Sequence, residues 1–244
     1  MPTLDWLKRE FSYGYDSGNI LSLFPNKRRR KEERLVGGSY KQVFSRALRP
    51  YLKRDSRVFE LGPGKGAWSR AILNCIPKGE LHTVDFQDTT QWLQQERYEG
   101  RLVCHKITRN ADFSSLPSDY FDVAWSFGVL CHNNASSIGE VLANLLPKVK
   151  PGSHAIHEYG DWEKLERYGW KEGGVPPEFR GMPDDEIWWP RNNQATMTEL
   201  ARSAGWIVIT ADLDVVRRDS IIVLQRPAAK ENFRRGEFRI PVDS

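Results

Sequence analysis

The chain has little cysteine and no long apolar run, and both shortages narrow what it can be. Its 244 residues hold three cysteines, Cys75, Cys104 and Cys131, far apart and without a C-x-x-C pair. Neither a disulfide framework nor a cysteine-bound zinc is expected, and a reducing, cytoplasmic setting fits. No apolar stretch reaches the roughly eighteen residues that a membrane-spanning helix needs. The opening MPTLDWLKRE has no apolar h-region, so no secretory signal is expected. Nor is there an excess of one charge. The 36 Lys and Arg against 32 Asp and Glu leave +4, too mild to argue for nucleic-acid binding. With 39% hydrophobic and 28% charged residues the composition is that of a globular protein. The length suits one well-cored domain with an elaboration or a lid.

The densest signal is the segment from Val58 to Gly66, VFELGPGKG. An apolar strand runs into Glu60 and then into three glycines, Gly62, Gly64 and Gly66; Ala67 onward reads as an amphipathic helix. A strand that turns into a helix through glycines exposes backbone N–H groups and lets a ligand approach without a Cβ clash. This is the geometry of a nucleotide-type cofactor site in a Rossmann-like sheet. A dinucleotide is disfavoured, because the third glycine follows the second by two residues rather than three.

Around this loop, strands and helices alternate. Strands are expected over 57–61, 80–86, 102–106, 121–127 and 153–159, with helices over 67–76, 89–98 and 137–149 and a turn at Pro151-Gly152. A helix over 197–204 and two runs, 206–212 and 220–224, follow; the short charged connection Asp214–Arg218 makes the pair a hairpin. The expected fold is α/β, a Rossmann-like doubly wound and mostly parallel sheet closed by an antiparallel C-terminal hairpin. Ahead of it, 4–11 and 32–52 read as helices, the second interrupted at Gly37-Gly38. The basic run Lys27–Lys31 reads as a solvated loop or helix start, with a phosphate or anionic-glycan contact as the alternative. Residues 160–195 hold four of the nine tryptophans, Trp162, Trp170, Trp188 and Trp189, and are too long and aromatic for a plain connector. The organisation expected is a helical cap over 1–50, a cofactor-binding domain over 51–226 with a lid or substrate insert at 160–195, and a polar tail over 227–244.

On these residues the chain resembles the class I S-adenosylmethionine-dependent methyltransferases over about residues 35–225. The resemblance is carried by Glu60–Gly66, Asp85 at the end of strand two, Asp112-Phe113 after strand three, FDVAWSFGVLCH over Phe121–His132, LLPKVKPG over Leu145–Gly152, and the terminal hairpin. It implies that Glu60, Gly62, Gly64 and Gly66 hold the methionine part of S-adenosylmethionine. Asp85, 19 residues after Gly66, would accept from the ribose hydroxyls. Phe86 would lie along the adenine, Asp112 would accept from its amino group, and Phe113 would add apolar contact. Phe127 and Gly128 would floor the site. Tyr40 would close over the methyl-donor pocket, or else simply fill the core at a helix break.

Methyl transfer to a hydroxyl is helped by a general base, and histidine suits neutral pH. His82 and His105 lie inside strands and read as structural. His132, just past strand four, is the first candidate base and His157 the second; the resemblance also allows His132 a purely supporting role. Magnesium held by Glu158 and Asp161 is a less favoured addition. Trp162, Trp188, Trp189, Tyr40 and Arg191 are candidate acceptor contacts, since indole platforms with N–H donors suit sugar or aromatic rings. No N/D-P-P-Y/F motif follows strand four, where Ser126-Phe127-Gly128-Val129 stands. A hydroxyl of a saccharide, glycosylated or phenolic small molecule is therefore expected over a nitrogen. The alternatives are an N-methyltransferase, a non-catalytic cofactor-binding or RNA-associated module, and an NAD-dependent oxidoreductase.

Overall fold

The structure, a computed structural model, describes residues 16–228; the helix expected over 4–11 and nearly all of the polar tail lie outside the described residues. Helix α1 is Lys27–Val36. Asn26 starts it by accepting from the Arg29 N–H at 2.8 Å, as N-cap side chains do. Gly37 stops it: at φ 69° its N–H reaches Arg34 O while that of Gly38 reaches Glu33 O, the Schellman pattern that favours glycine. The basic run is thus the first turns of a helix. Its middle residue, Arg29, is buried, with Nε 2.8 Å from Glu33 and Nη1 donating to the carbonyls of Asn19 and Ser22. The chain resumes as α2 (Tyr40–Val43), which widens into a π-helical turn over Phe44–Leu48.

Seven strands form one sheet in the order β3-β2-β1-β4-β5-β7-β6. They are β1 (Arg57–Leu61), β2 (Glu80–Asp85), β3 (Leu102–Lys106), β4 (Phe121–Ser126), β5 (Val149–Gly160), β6 (Ile207–Thr210) and β7 (Asp219–Gln225). The first five are parallel, and β7 runs antiparallel to both neighbours. The remaining helices are α3 (Ala67–Cys75), α4 (Thr90–Leu93), α5 (Ala135–Leu145), α6 (Trp162–Tyr168) and α7 (Gln194–Ser203). The mostly parallel, doubly wound sheet with its terminal hairpin is therefore present as expected.

Strand alternation divides the core in two. Val58, Trp125, Ile156 and Val223 join residues of α1, α2 and α3 on one face. Phe59, Ala124, Ala155 and Leu224 join residues of α5 and α7 on the other. The tryptophan-rich insert has a small core of its own, built on Leu165, Trp170, Val175, Phe179, Ile187 and Trp189. Two of its polar contacts tie it to the β6–β7 connection and a third closes it on itself. Lys164 meets Asp212 at 2.6 Å in a buried pair, Arg218 Nη1 donates to Gly173 O at 2.9 Å, and Arg180 clasps Glu166 at 2.6 Å. Residues 16–26 lead into α1, and Ser17 reaches the cavity beside the glycine loop. Asp16 pairs with Arg70 at 3.1 Å, and Ser17 Oγ donates to Glu32.

Some boundaries differ from the sequence reading. The helix expected over 89–98 is two short turns, α4 and a 3₁₀ turn over Gln95–Tyr98, because Gln94 takes the left-handed conformation at φ 49°. The turn expected at Pro151-Gly152 is an irregular stretch inside β5. Gly152 sits at φ 80°, its N–H donates to Arg226 O, and the β4–β5 register shifts between Phe121 and Val123. Helix α5 begins two residues early because Asn134 caps it, and it tightens into a 3₁₀ turn at Leu146–Lys148, which contains Pro147.

Candidate active site

Strand order reverses between β1 and β4, and open α/β sheets bind ligands outside the carboxyl ends of strands at such a point. The glycine loop lies there. Gly62, Gly64 and Gly66 all have positive φ, at 67°, 54° and 82°. At Gly62 an added Cβ would sit 2.4 Å from Val129 Cγ2, so only glycine fits the turn. Helix α3 starts without a side-chain cap, leaving its first N–H groups for a carboxylate ligand. That donor set suits the methionine carboxylate of S-adenosylmethionine.

Glu60 lies fully buried behind the loop and accepts from Ser69 Oγ at 2.6 Å. Burial pushes its carboxyl up to about 7, against a pull downward from the Ser69 hydrogen bond. The folded state therefore holds this proton more tightly than the unfolded state does. Stability from Glu60 is full below the ordinary value of 4.5 and is lost as pH rises through about 7. The gap corresponds to about 3 kcal/mol. Glu60→Gln is expected to flatten that decline, so that the variant gains on the parent in thermal melts at pH 8 relative to pH 5, taken as about the two ends of the window. Equal differences at both pH values would refute the assignment.

Beside the loop is a cavity of about 290 Å³. Gly62, Gly64 and Trp68 form one wall, Phe127 and Gly128 the floor, Tyr40 and Glu32 a second wall, and Cys131, His132, Glu158, Trp188, Trp189 and Arg218 the far side. Tyr40 packs between Trp68 and Phe127, with ring centroids at 5.3 and 5.2 Å. It therefore both fills the core and borders the cavity. Burial raises its phenol well above the ordinary value, with the charge of Glu32 adding to the effect.

His132 follows β4 on a 3₁₀ turn, Leu130–His132. Its Nδ1 lies 2.9 Å from Trp188 O. A carbonyl only accepts, so Nδ1 carries the proton and the Nε2 lone pair faces the other way. The ring lies edge-on to Trp189 with centroids 5.4 Å apart. Burial drives its pKa down to about 4, so it is neutral at physiological pH.

The residues that the sequence reading missed are Arg218, Glu32 and the cavity-facing role of Glu158. Arg218 grips the fully buried Asp219 through Nε and Nη2, the latter at 2.7 Å, and lies 4.3 Å from the centroid of the Trp189 ring. Glu158 Oε2 accepts from Gly128 N–H at 2.7 Å. Burial, reinforced by the charge of Asp219, holds its carboxyl well above the usual range. Among the described residues no N–H or O–H reaches Glu158 Oε1. The signal was present in the strand's alternation. Adjacent residues on β5 face opposite sides, so His157 and Glu158 could not both face the cavity.

His157 is the one turned away. It is fully buried, its Nδ1 2.8 Å from Ser126 Oγ, and burial lowers its pKa to about 3. The second candidate base is therefore corrected to a buried sheet residue. Phe113 is also a core residue, edge-on to Phe59 at 5.2 Å, and Phe86 packs half-buried on the same core. Asp112 accepts from Ser114 and meets Arg109 at 3.2 Å, bordering a separate groove with Phe113 and Glu140. Asp85, at the end of β2, accepts from Gln87 N–H at 2.9 Å and is raised by burial. Trp162 donates to Trp189 O and packs edge-on to Trp170, outside the cavity lining. Arg191 is committed to Asp184 and to the carbonyls of Arg180 and Met182, so its guanidinium supports the insert rather than the cavity. His82 and His105 face each other across β2 and β3, Nδ1 to Nε2 at 3.0 Å.

The magnesium reading is corrected by what Asp161 does. Its Oδ1 caps α6 and its Oδ2 accepts from Ser220 and Gln194. Among the described residues no group of three or more His, Cys, Asp and Glu is placed to hold a metal ion. No described helix is long and apolar enough to cross a membrane.

The strand order, the glycine loop and the adjoining cavity are those of the class I S-adenosylmethionine-dependent methyltransferases. Over residues 13–212 the chain matches a family described as a methyltransferase domain, and it belongs to that family. Solved structures share the fold. A protein of Pyrococcus horikoshii OT3 matches with a TM-score of 0.61 at 13% identity, over 90% of this chain and 99% of its own. An S-adenosylmethionine-dependent methyltransferase of Aquifex aeolicus gives 0.54 at 16%, over 81% and 98%. The 1,6-didemethyltoxoflavin-N1-methyltransferase of Burkholderia thailandensis, solved with 1,6-didemethyltoxoflavin and S-adenosylhomocysteine, gives 0.53 at 14%, over 74% and 75%. At these identities the likeness is one of fold. No curated protein matches the chain significantly.

Proposed function

We propose that this methyltransferase methylates a hydroxyl of a small aromatic or glycosylated acceptor, with His132 as general base. The observation that carries the reading is the placement of a neutral, tautomer-fixed imidazole in the same cavity as the glycine loop. Bound S-adenosylmethionine supplies a methyl group on a sulfonium, already activated for in-line displacement. The chain's own part is to orient and to exclude water. Tyr40, Trp68, Phe127, Trp188 and Trp189 offer flat faces for an aromatic or sugar ring. His132 Nε2 takes the hydroxyl proton as the oxygen attacks. Glu158 borders the same cavity, its Oε2 held by the Gly128 N–H at 2.7 Å.

Calorimetric titration with S-adenosylmethionine, S-adenosylhomocysteine and NAD tests the cofactor side. Micromolar binding of the first two and none of NAD is expected. Asp85→Ala is expected to weaken S-adenosylhomocysteine about tenfold or more, as removal of a charged hydrogen-bond acceptor does; unchanged affinity would remove Asp85 from the ribose site. Methyl transfer to a panel of phenols, sugars and amines, with and without magnesium, tests the acceptor. Exclusive methylation of amines would overturn the hydroxyl reading.

A further inference from the structure

Among the described residues the two most exposed large hydrophobic side chains are adjacent: Leu23 at 74% and Phe24 at 88%. Burying such side chains is favourable wherever an apolar phase is offered, and leaving a pair in water needs a reason. The turn that holds them is built. Ser22 Oγ accepts from Phe24 N–H and donates to Phe24 O, both at 3.1 Å. Asn19 closes the preceding turn onto Leu21 and Ser22. The buried guanidinium of Arg29 pins the carbonyls of Asn19 and Ser22 from beneath at 2.9 Å. Leu23 and Phe24 are thus presented outward by a fixed scaffold.

Directly after this tip come the exposed basic residues Lys27, Arg30 and Lys31 of α1, beside Arg28, which pairs with Glu32 at 3.0 Å. No acidic residue occurs between Asp16 and Glu32. We propose that the Leu23-Phe24 tip and the basic first turns of α1 dock this protein on the surface of an anionic lipid bilayer. The tip enters the boundary between headgroups and acyl chains, and the basic side chains meet the phosphates. A lipid surface fits better than a nucleic acid, because a base could stack on Phe24 alone, whereas a bilayer boundary takes up Leu23 and Phe24 together. The cavity wall continues the same helix: Glu32, Leu35 and Val36 line it, starting about 7.5 Å along the axis from Lys27.

The test is flotation of the full chain with vesicles of phosphatidylcholine alone or with roughly a third phosphatidylserine, at low and high salt. Binding to the anionic vesicles, weakened by salt, is expected. Leu23→Ser with Phe24→Ser should weaken it by about tenfold or more, and so should Arg30→Glu with Lys31→Glu. Both pairs are exposed, so melting temperature and S-adenosylhomocysteine affinity should match the parent and certify the fold. Absence of binding to anionic vesicles overturns the proposal. So does binding that survives the serine pair, which would place the contact elsewhere on the chain. Tight binding of a single-stranded RNA oligomer without vesicle binding would assign the basic face to nucleic acid instead.

Discussion

Arg218→Met is expected to destabilise the protein by about 3–5 kcal/mol, because it strips the partner from a charge that water cannot reach. Asp219 has no exposed surface, and Arg218 holds it through two nitrogens. The same guanidinium donates to Gly173 O and covers the Trp189 ring, so the insert loses a tie at the same moment. Glu158 is drawn in as well. The charge of Arg218 and the Gly128 N–H both pull its carboxyl back down, and the variant removes the first of them. Adding Asp219→Leu to Arg218→Met should return much of the loss, since apolar replacement of both partners avoids the orphaned charge. Urea unfolding of the parent, the single and the double variant measures this. A single variant that loses less than about 1 kcal/mol would show that the pair is solvated and not part of the core.

His132→Ala is expected to lower turnover by about a hundredfold or more, the usual contribution of a positioned base, and to leave S-adenosylhomocysteine affinity as it was. Its pH signature is more specific than its size. A base acts in its neutral form, and burial lowers the His132 pKa to about 4. The neutral fraction is therefore complete well below the ordinary histidine value of 6.5. The ratio kcat/KM should stay level from about pH 8 down to about pH 5 and fall only on approach to 4. A fall centred near 6.5 would place the proton transfer on a better-solvated group. Loss of cofactor affinity together with turnover would make His132 a wall of the cofactor site.

How much was legible in the sequence follows from what each signal measures. Strands β1 and β3 have the expected bounds because an apolar run flanked by turn residues marks a buried strand directly. The glycine loop was legible because its backbone conformation excludes other residues, as the Val129 contact at Gly62 shows. Helix α4 was not, since nothing in a polar stretch announces that Gln94 will turn left-handed. In the site, proximity to a strand end was a poor guide to direction. His157 and Glu158 are neighbours in sequence and lie on opposite faces of β5. The polar residue that reaches the cavity is the one first weighed as a metal ligand. Arg218 escaped notice because it sits in a connection that reads as charged and solvated, and its burial depends on contacts with Gly173 and Trp189 from a distant segment.

The tryptophan-rich insert is tied through Lys164 to Asp212 and through Gly173 to Arg218, both in the β6–β7 connection, while Arg180–Glu166 closes the insert on itself. The aromatic wall of the cavity is thus anchored on the connection between the two antiparallel strands. On the other side residues 16–26 are held by the Asp16–Arg70 ion pair, by the contact of Ser17 with Glu32 and by the Arg29 guanidinium on the carbonyls of Asn19 and Ser22. Of these the Asp16–Arg70 pair is the partly exposed one that salt screens. A substitution in the β6–β7 connection is therefore felt in the aromatic wall of the cavity, although it touches no residue of the insert's own sequence.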